Sequence, residues 1–148
     1  MMGLKKRIAV REEKRGLRML RQRLFDYAKE KYGVEPDYPF STAPTYPVLR
    51  HADTRKWFAI FMDVPRARLG LAGDGSVDVV NVKCDAMAGA LRRTPGILPA
   101  YHMNREKWVT VLLDGTVPAE EICPLLDLSY SLTASSQDRG ADFHSLSS

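Results

Sequence analysis

Two short segments of the chain echo one another. Arg55-Lys56-Trp57-Phe58-Ala59-Ile60 and Glu106-Lys107-Trp108-Val109-Thr110-Val111 both place a Lys-Trp pair where a turn enters an apolar run. Basic side chains at such tips offer several donors and full charge at neutral pH, which suits phosphate. The same pattern also fits two hairpins whose tryptophans anchor a core while the basic tips are solvated. A second candidate is Tyr101-His102-Met103-Asn104. His102 has the chemistry of a general base and Asn104 that of a substrate-orienting amide. Alternation places both on one side of a strand beside a turn, where Asn commonly bonds backbone, and this structural role is the favoured reading. Trp57, Tyr101, His102, Asn104 and Trp108 together could wall a cleft for a small molecule or a protein partner, since ligand sites combine aromatic walls with a few polar groups.

Other chemistries lack their residues. A metal site needs three or four converging ligands, whereas His51, Cys84, His102 and Cys123 are scattered singly. The Gly-rich LGLAGDGS stretch precedes a strand and lacks the phosphate-loop lysine, and there is no serine nucleophile elbow. Glu12-Glu13 and Glu120-Glu121 fit helix surfaces. No catalytic residue, metal or cofactor is assigned, and a non-enzymatic role is expected.

The chain has 148 residues, 45% of them hydrophobic, which fits one folded domain with a real core. No apolar run reaches the roughly 20 residues of a membrane span, and no secretory leader pattern is present. Two cysteines without a CxxC spacing predict free thiols in a reducing cytoplasm. The net charge of +4 is unevenly spread. Residues 1–23 hold nine basic and two acidic side chains, a charge of +7, which leaves −3 for the remainder. A nucleic-acid-binding body normally carries the basic surplus itself, so that split must be explained.

The periodicities supply elements to position these residues. Leu17, Leu20, Leu24, Tyr27 and Ala28 mark a helix over 11–32 with its arginines on the solvated side, ended by Gly33. Four prolines make 34–47 an extended loop. Strands are expected at 47–51, 57–62 and 77–84, with 64–71 a proline-interrupted loop or edge strand. Asp85 is expected to cap a helix over 86–93, ended by Pro95-Gly96. Residues 98–103 and 107–113 form a hairpin about 104–106, and Pro118 opens a last helix to 132 with Glu120 and Glu121 in its first turn. The Ser-rich residues 134–148 predict a disordered tail. The fold class is α+β: an antiparallel sheet with helices packed on one face, preceded by a basic N-terminal helix.

Lys83-Cys84-Asp85, LPAYHMNREKW at 98–108, VPAEEI at 117–122 and SYSL at 129–132 occur in the order that characterises one family. With LRHADTRKWFAIFMDVPRARLGL at 49–71, the chain from about Leu20 to Thr133 resembles the MmcQ/YjbR proteins. The resemblance implies a frataxin-like or double-wing α+β domain over residues 19–133 and a DNA-binding role, which fold alone does not establish. In the double-wing reading the two Lys-Trp turns are the wings. Arg55, Lys56, Arg105 and Lys107 would then grip phosphates, supported by Arg50, Arg66, Arg68 and Lys83. Residues 1–18 lie outside the resemblance, as a basic extension or as untranslated sequence before a start at Met19. The basic helix could follow phosphates as well; a membrane partner is not expected.

Overall fold

The structure is a computed structural model and describes residues 20–40, 42 and 46–134. The basic extension, the first turns of the expected helix and nearly all of the serine-rich tail lie outside the described residues. Helix α1 spans 20–32 and buries Leu24, Phe25 and Ala28. Gly33, at φ +69°, closes it with its N–H on the Lys29 carbonyl at 3.0 Å, a left-handed cap that suits glycine. Strands β1 (Val48–Arg50), β2 (Trp57–Pro65), β3 (Ser76–Lys83), β4 (Ile97–Pro99) and β5 (Trp108–Leu112) form one antiparallel sheet in the order β1-β2-β3-β5-β4. Helix α2 (Ala88–Leu91) lies between β3 and β4, and α3 (Ala119–Thr133) follows β5. The α+β class is as expected.

The helices cover one face. Leu24, Phe25 and Ala28 meet Phe61, Val80, Val109, Ile122 and Leu126 there, with Phe25 edge-on to Phe61 at 4.7 Å. The opposite face is closed as well. Ile60, Met62, Val79, Trp108 and Leu112 are roofed by Phe40, Tyr46, Leu69, Leu71, Tyr101 and Met103, which come from loops. Burial on both sides accounts for the continuous apolar run of β2 and for the complete burial of β5.

Two local departures shape one end of the sheet. The β1–β2 register slips between Leu49↔Ala59 and Arg50↔Trp57, so Phe58 is an extra, bulged residue. Phe58 therefore joins Ala59 and Phe61 on the helix side instead of alternating away from it. The β2–β3 ladder ends at Ala59↔Val82. Where the next bond would form, Ser129 of α3 enters: its hydroxyl donates to the Phe58 carbonyl at 2.6 Å and accepts from the Lys83 N–H at 2.9 Å.

Some expected boundaries change. Asp85 does not cap a helix: it sits at φ +47° and starts a 3-10 turn, Asp85–Met87, with no side-chain cap. The expected helix over 86–93 shrinks to the four residues of α2, because Gly89 and the Thr94-Pro95-Gly96 turn leave little helix-forming sequence. The segment 64–71 divides between the end of β2 and a 3-10 turn, Arg66–Leu69. Strand β4 stops at Pro99, so Tyr101, His102 and Met103 are not in a strand. Arg21 is not simply solvated: it pairs with Asp78 at 3.0 Å.

Candidate nucleic-acid interface

The sheet order brings the two Lys-Trp turns to the same end. β2 leaves the 51–56 turn at Trp57, β5 leaves the 100–107 turn at Trp108, and β3 runs antiparallel between them to finish at Lys83. Two inter-strand spacings separate the roots of the turns, about 10 Å.

Backbone bonds hold both turns. In the first, Arg55 N–H donates to the His51 carbonyl at 3.0 Å and His51 N–H to the Lys56 carbonyl at 2.8 Å. His51 itself is buried, stacked on Tyr130 at 4.1 Å, with its Nε2 2.8 Å from the Thr133 hydroxyl. Tyr130 stacks in turn on Tyr32, whose hydroxyl donates to Asp127. Burial would raise the Asp127 pKa, but hydrogen bonds from Lys31, Tyr32 and Tyr27 hold it below the usual carboxylate range. This ladder ties the first turn to α3 and α1.

In the second turn, the Asn104 carbonyl accepts from Trp108 N–H at 2.9 Å while its side-chain oxygen accepts from Glu106 N–H at 2.8 Å. The Lys107 carbonyl takes the N–H groups of Cys84 at 2.7 Å and Asp85 at 2.9 Å. Beneath it Asn81 and Thr110, both wholly buried, clamp the Tyr101 peptide: Asn81 Nδ2 donates to its carbonyl at 2.9 Å and Thr110 Oγ1 accepts its N–H at 2.8 Å. Thr110 completes the triangle by donating to Asn81 Oδ1 at 2.5 Å. No sequence spacing announced this polar triangle inside an apolar face.

Among the basic residues read from the sequence, Arg55, Arg105 and Lys107 are exposed at this end and Lys56 is half-buried there. Arg92, which the sequence reading missed, donates to the Arg105 carbonyl at 2.6 Å and adds a cation. Asp53 and Glu106 oppose them. The remaining assignments are corrected. The Lys83 side chain is 3% exposed and lies 3.8 Å from Asp85, out of reach of a phosphate. Arg66 and Arg68 follow the far end of the nine-residue β2, roughly 25 Å along the strand from the 51–56 turn. There Arg66 Nε donates to the Ala72 carbonyl at 2.7 Å and Arg68 to the Tyr101 hydroxyl at 3.2 Å. Arg50 turns to the β1 edge, paired with Asp37 at 2.9 Å and lying over the Trp57 ring.

The expected cleft does not assemble. Trp108 is wholly buried, His102 sits exposed in a turn at φ +59°, and Asn104 spends its side chain on that turn. A groove of about 360 Å³ opens instead beside β1, walled by Val34, Pro36, Asp37, Arg50, Ala52 and Arg55. Among the described residues no three His, Cys, Asp or Glu side chains could hold a metal ion, and no helix is long and apolar enough to cross a membrane.

Comparison with known proteins identifies the same unit. The uncharacterized protein YyaQ of Bacillus subtilis is 41% identical over 116 residues, which are 78% of this chain and 98% of that protein. The crystal structure of a Pseudomonas syringae protein shares 48% identity with a TM-score of 0.74, over 76% of this chain and 97% of that one. A Deinococcus radiodurans protein, 26% identical, superposes with a TM-score of 0.58 over 84% of this chain and 85% of that one. The YjbR family model matches residues 29–132, the stretch that holds both turns, the bulge at Phe58 and the Ser129 bridge that supports them, and the chain belongs to the YjbR family.

Proposed function

We propose that this protein binds duplex DNA through its backbone, with little sequence discrimination, by laying the two turns at one end of the sheet against phosphates. The observation that carries the reading is the convergence of Arg55, Lys56, Arg105 and Lys107 on one end of a braced sheet. The turn roots, about 10 Å apart, approach the roughly 12 Å width of a major groove. The double-wing arrangement attributed to the family adds to this reading. Helix α2, four residues long, is too short to serve as a reading helix, which is why backbone contact is favoured over base readout.

The test is fluorescence anisotropy with a duplex at several salt concentrations. Each phosphate contact contributes about 0.9 to the slope of log K against log salt, so replacing Lys56 and Lys107 by Ala should weaken binding and flatten the slope by roughly 2. Replacing Arg66 and Arg68, at the far end, should leave the slope almost unchanged. An unaltered slope in the Lys56/Lys107 variant removes the proposal. A chain beginning at Met19 serves as the companion measurement: binding lost with residues 1–18 would assign the affinity to the basic extension and not to the turns.

A further inference from the structure

The groove beside β1 has the features of a ligand site of its own. The chain leaving α1 runs along the β1 edge, where Asp37 and Val48 exchange backbone hydrogen bonds at 2.9 and 2.8 Å. This fixes the Asp37 carboxylate in the groove wall. Its Oδ2 faces two guanidinium groups, Arg50 at 2.9 Å and Arg55 at 3.7 Å. Glu35 also lines the groove but pairs with Lys29 at 3.0 Å, so Arg50 and Arg55 against the one remaining carboxylate, Asp37, leave a local surplus of positive charge. Arg50 Nε is buried and finds no hydrogen-bond partner among the described residues.

Arg55 carries a second indication. It occupies φ +66°, a region where glycine or asparagine is favoured and an arginine is strained. Strained residues concentrate where a side chain must be aimed, and this one is aimed into the groove beside Asp37. The volume of about 360 Å³ lies at the small end of ligand pockets, suited to a metabolite and not to a polymer. An anion alone would have to displace Asp37 from both arginines and leave it without a cation. A molecule that carries its own ammonium group replaces what it displaces.

We infer that this groove binds a small zwitterion, its phosphate or carboxylate held between Arg50 and Arg55 and its ammonium group on Asp37. Paired guanidiniums offer the planar, multidentate donors that such anions prefer. The site is separate from the proposed DNA contacts of Arg105 and Lys107, although Arg55 stands at the border of both.

The experiment is an NMR titration of the full chain, reading the backbone amides of Gly33, Ala52 and Arg55. The probes are O-phosphoethanolamine, β-alanine, inorganic phosphate and ethanolamine. The inference expects saturable shifts with at least one zwitterion, and affinity at least tenfold lower for the matching anion or amine alone. O-phosphoethanolamine against β-alanine distinguishes phosphate from carboxylate. Arg55→Gly should raise the melting temperature by releasing strain, yet weaken the zwitterion at least tenfold, so loss of binding cannot be ascribed to misfolding. Asp37→Asn should remove the preference for the zwitterion over the bare anion. Shifts that do not saturate at tens of millimolar for either zwitterion, equal affinity for inorganic phosphate, or undiminished binding by Arg55→Gly would each overturn it.

Discussion

Ser129→Ala is the substitution for which the structure gives the clearest magnitude. Ser129 is wholly buried, and its hydroxyl stands where the β2–β3 ladder fails, joining the Phe58 carbonyl at 2.6 Å to the Lys83 N–H at 2.9 Å. Alanine withdraws that hydroxyl from two buried backbone groups while leaving the apolar packing of α3 nearly intact. Losing a partner costs a buried polar group about 1–3 kcal/mol; at about 1–2 kcal/mol for each of these two backbone groups, the pair should cost about 2–4 kcal/mol. At roughly 4 °C per kcal/mol for a domain of this size, the melting temperature should fall by about 8–16 °C. Ser131→Ala, exposed on the same helix, should change stability by less than about 0.5 kcal/mol. Urea denaturation and calorimetry give the global value, and hydrogen exchange at the Lys83 amide gives the local one. A loss below about 1 kcal/mol, with Lys83 still protected, would mean that the bulge re-pairs without the hydroxyl, and the account of this sheet end would be wrong.

Gly96→Ala should be more damaging than Gly75→Ala. Both glycines have positive φ, but a Cβ at Gly96 would lie 2.7 Å from Val117 Cγ2, whereas Gly75 faces open space. Chemical denaturation should show about 1 kcal/mol lost at Gly75 and at least 1 kcal/mol more at Gly96, and equal losses would contradict the packing. His51 is buried neutral: burial lowers its pKa below the ordinary 6.5, outweighing nearby Asp53. The unfolded chain therefore takes up the proton first. The stabilising contribution is complete above about pH 6.5 and declines as pH falls through the lower folded value, and in urea titrations His51→Gln should remove that part of the slope. Burial, with Asp85 adding to it, pushes the Cys84 thiol up to about 11. Against an ordinary thiol at 9.0, that leaves about a hundredfold less thiolate at pH 8. Ellman's reagent should modify the more accessible Cys123 first and Cys84 only on unfolding, and equal rates would refute the assignment.

The fold was largely legible because its signals are local. The apolar run at 57–62, the alternation at 77–84 and the proline-led last helix each matched an observed element to within a few residues. The site was less legible for a geometric reason. Arg50, Arg55 and Asp37 meet across the β1 edge, Ser129 reaches Phe58 from 71 residues away, and Asn81 reaches Tyr101 from 20 away. None of these pairings follows a helical or strand period. Lys83 misled because a lysine in an alternating strand looks solvent-facing, and only the closure of the second face by loops shows that it is buried. His102 and Asn104 misled less: the turn role favoured for Asn104 is the one its side chain performs.

The motifs that mark the family do a different job from the residues proposed to meet a ligand. Asp85 donates its backbone to Lys107, Asn104 closes the second turn and Ser129 completes the β2–β3 edge. These are scaffold duties, and they leave the backbone of both turns little freedom. Under the proposed binding that rigidity would reduce the ordering cost of placing cations on phosphates, where flexible tips would lose much of their gain to entropy. It also bears on the acidic balance of −3 outside residues 1–23. A mildly acidic body with Arg55, Lys56, Arg105 and Lys107 gathered at one end would, under the proposed binding, have an orienting field. On this argument the net charge of the body does not oppose the proposed binding. Under the proposed binding it would favour approach to the end of the sheet where the turns are held.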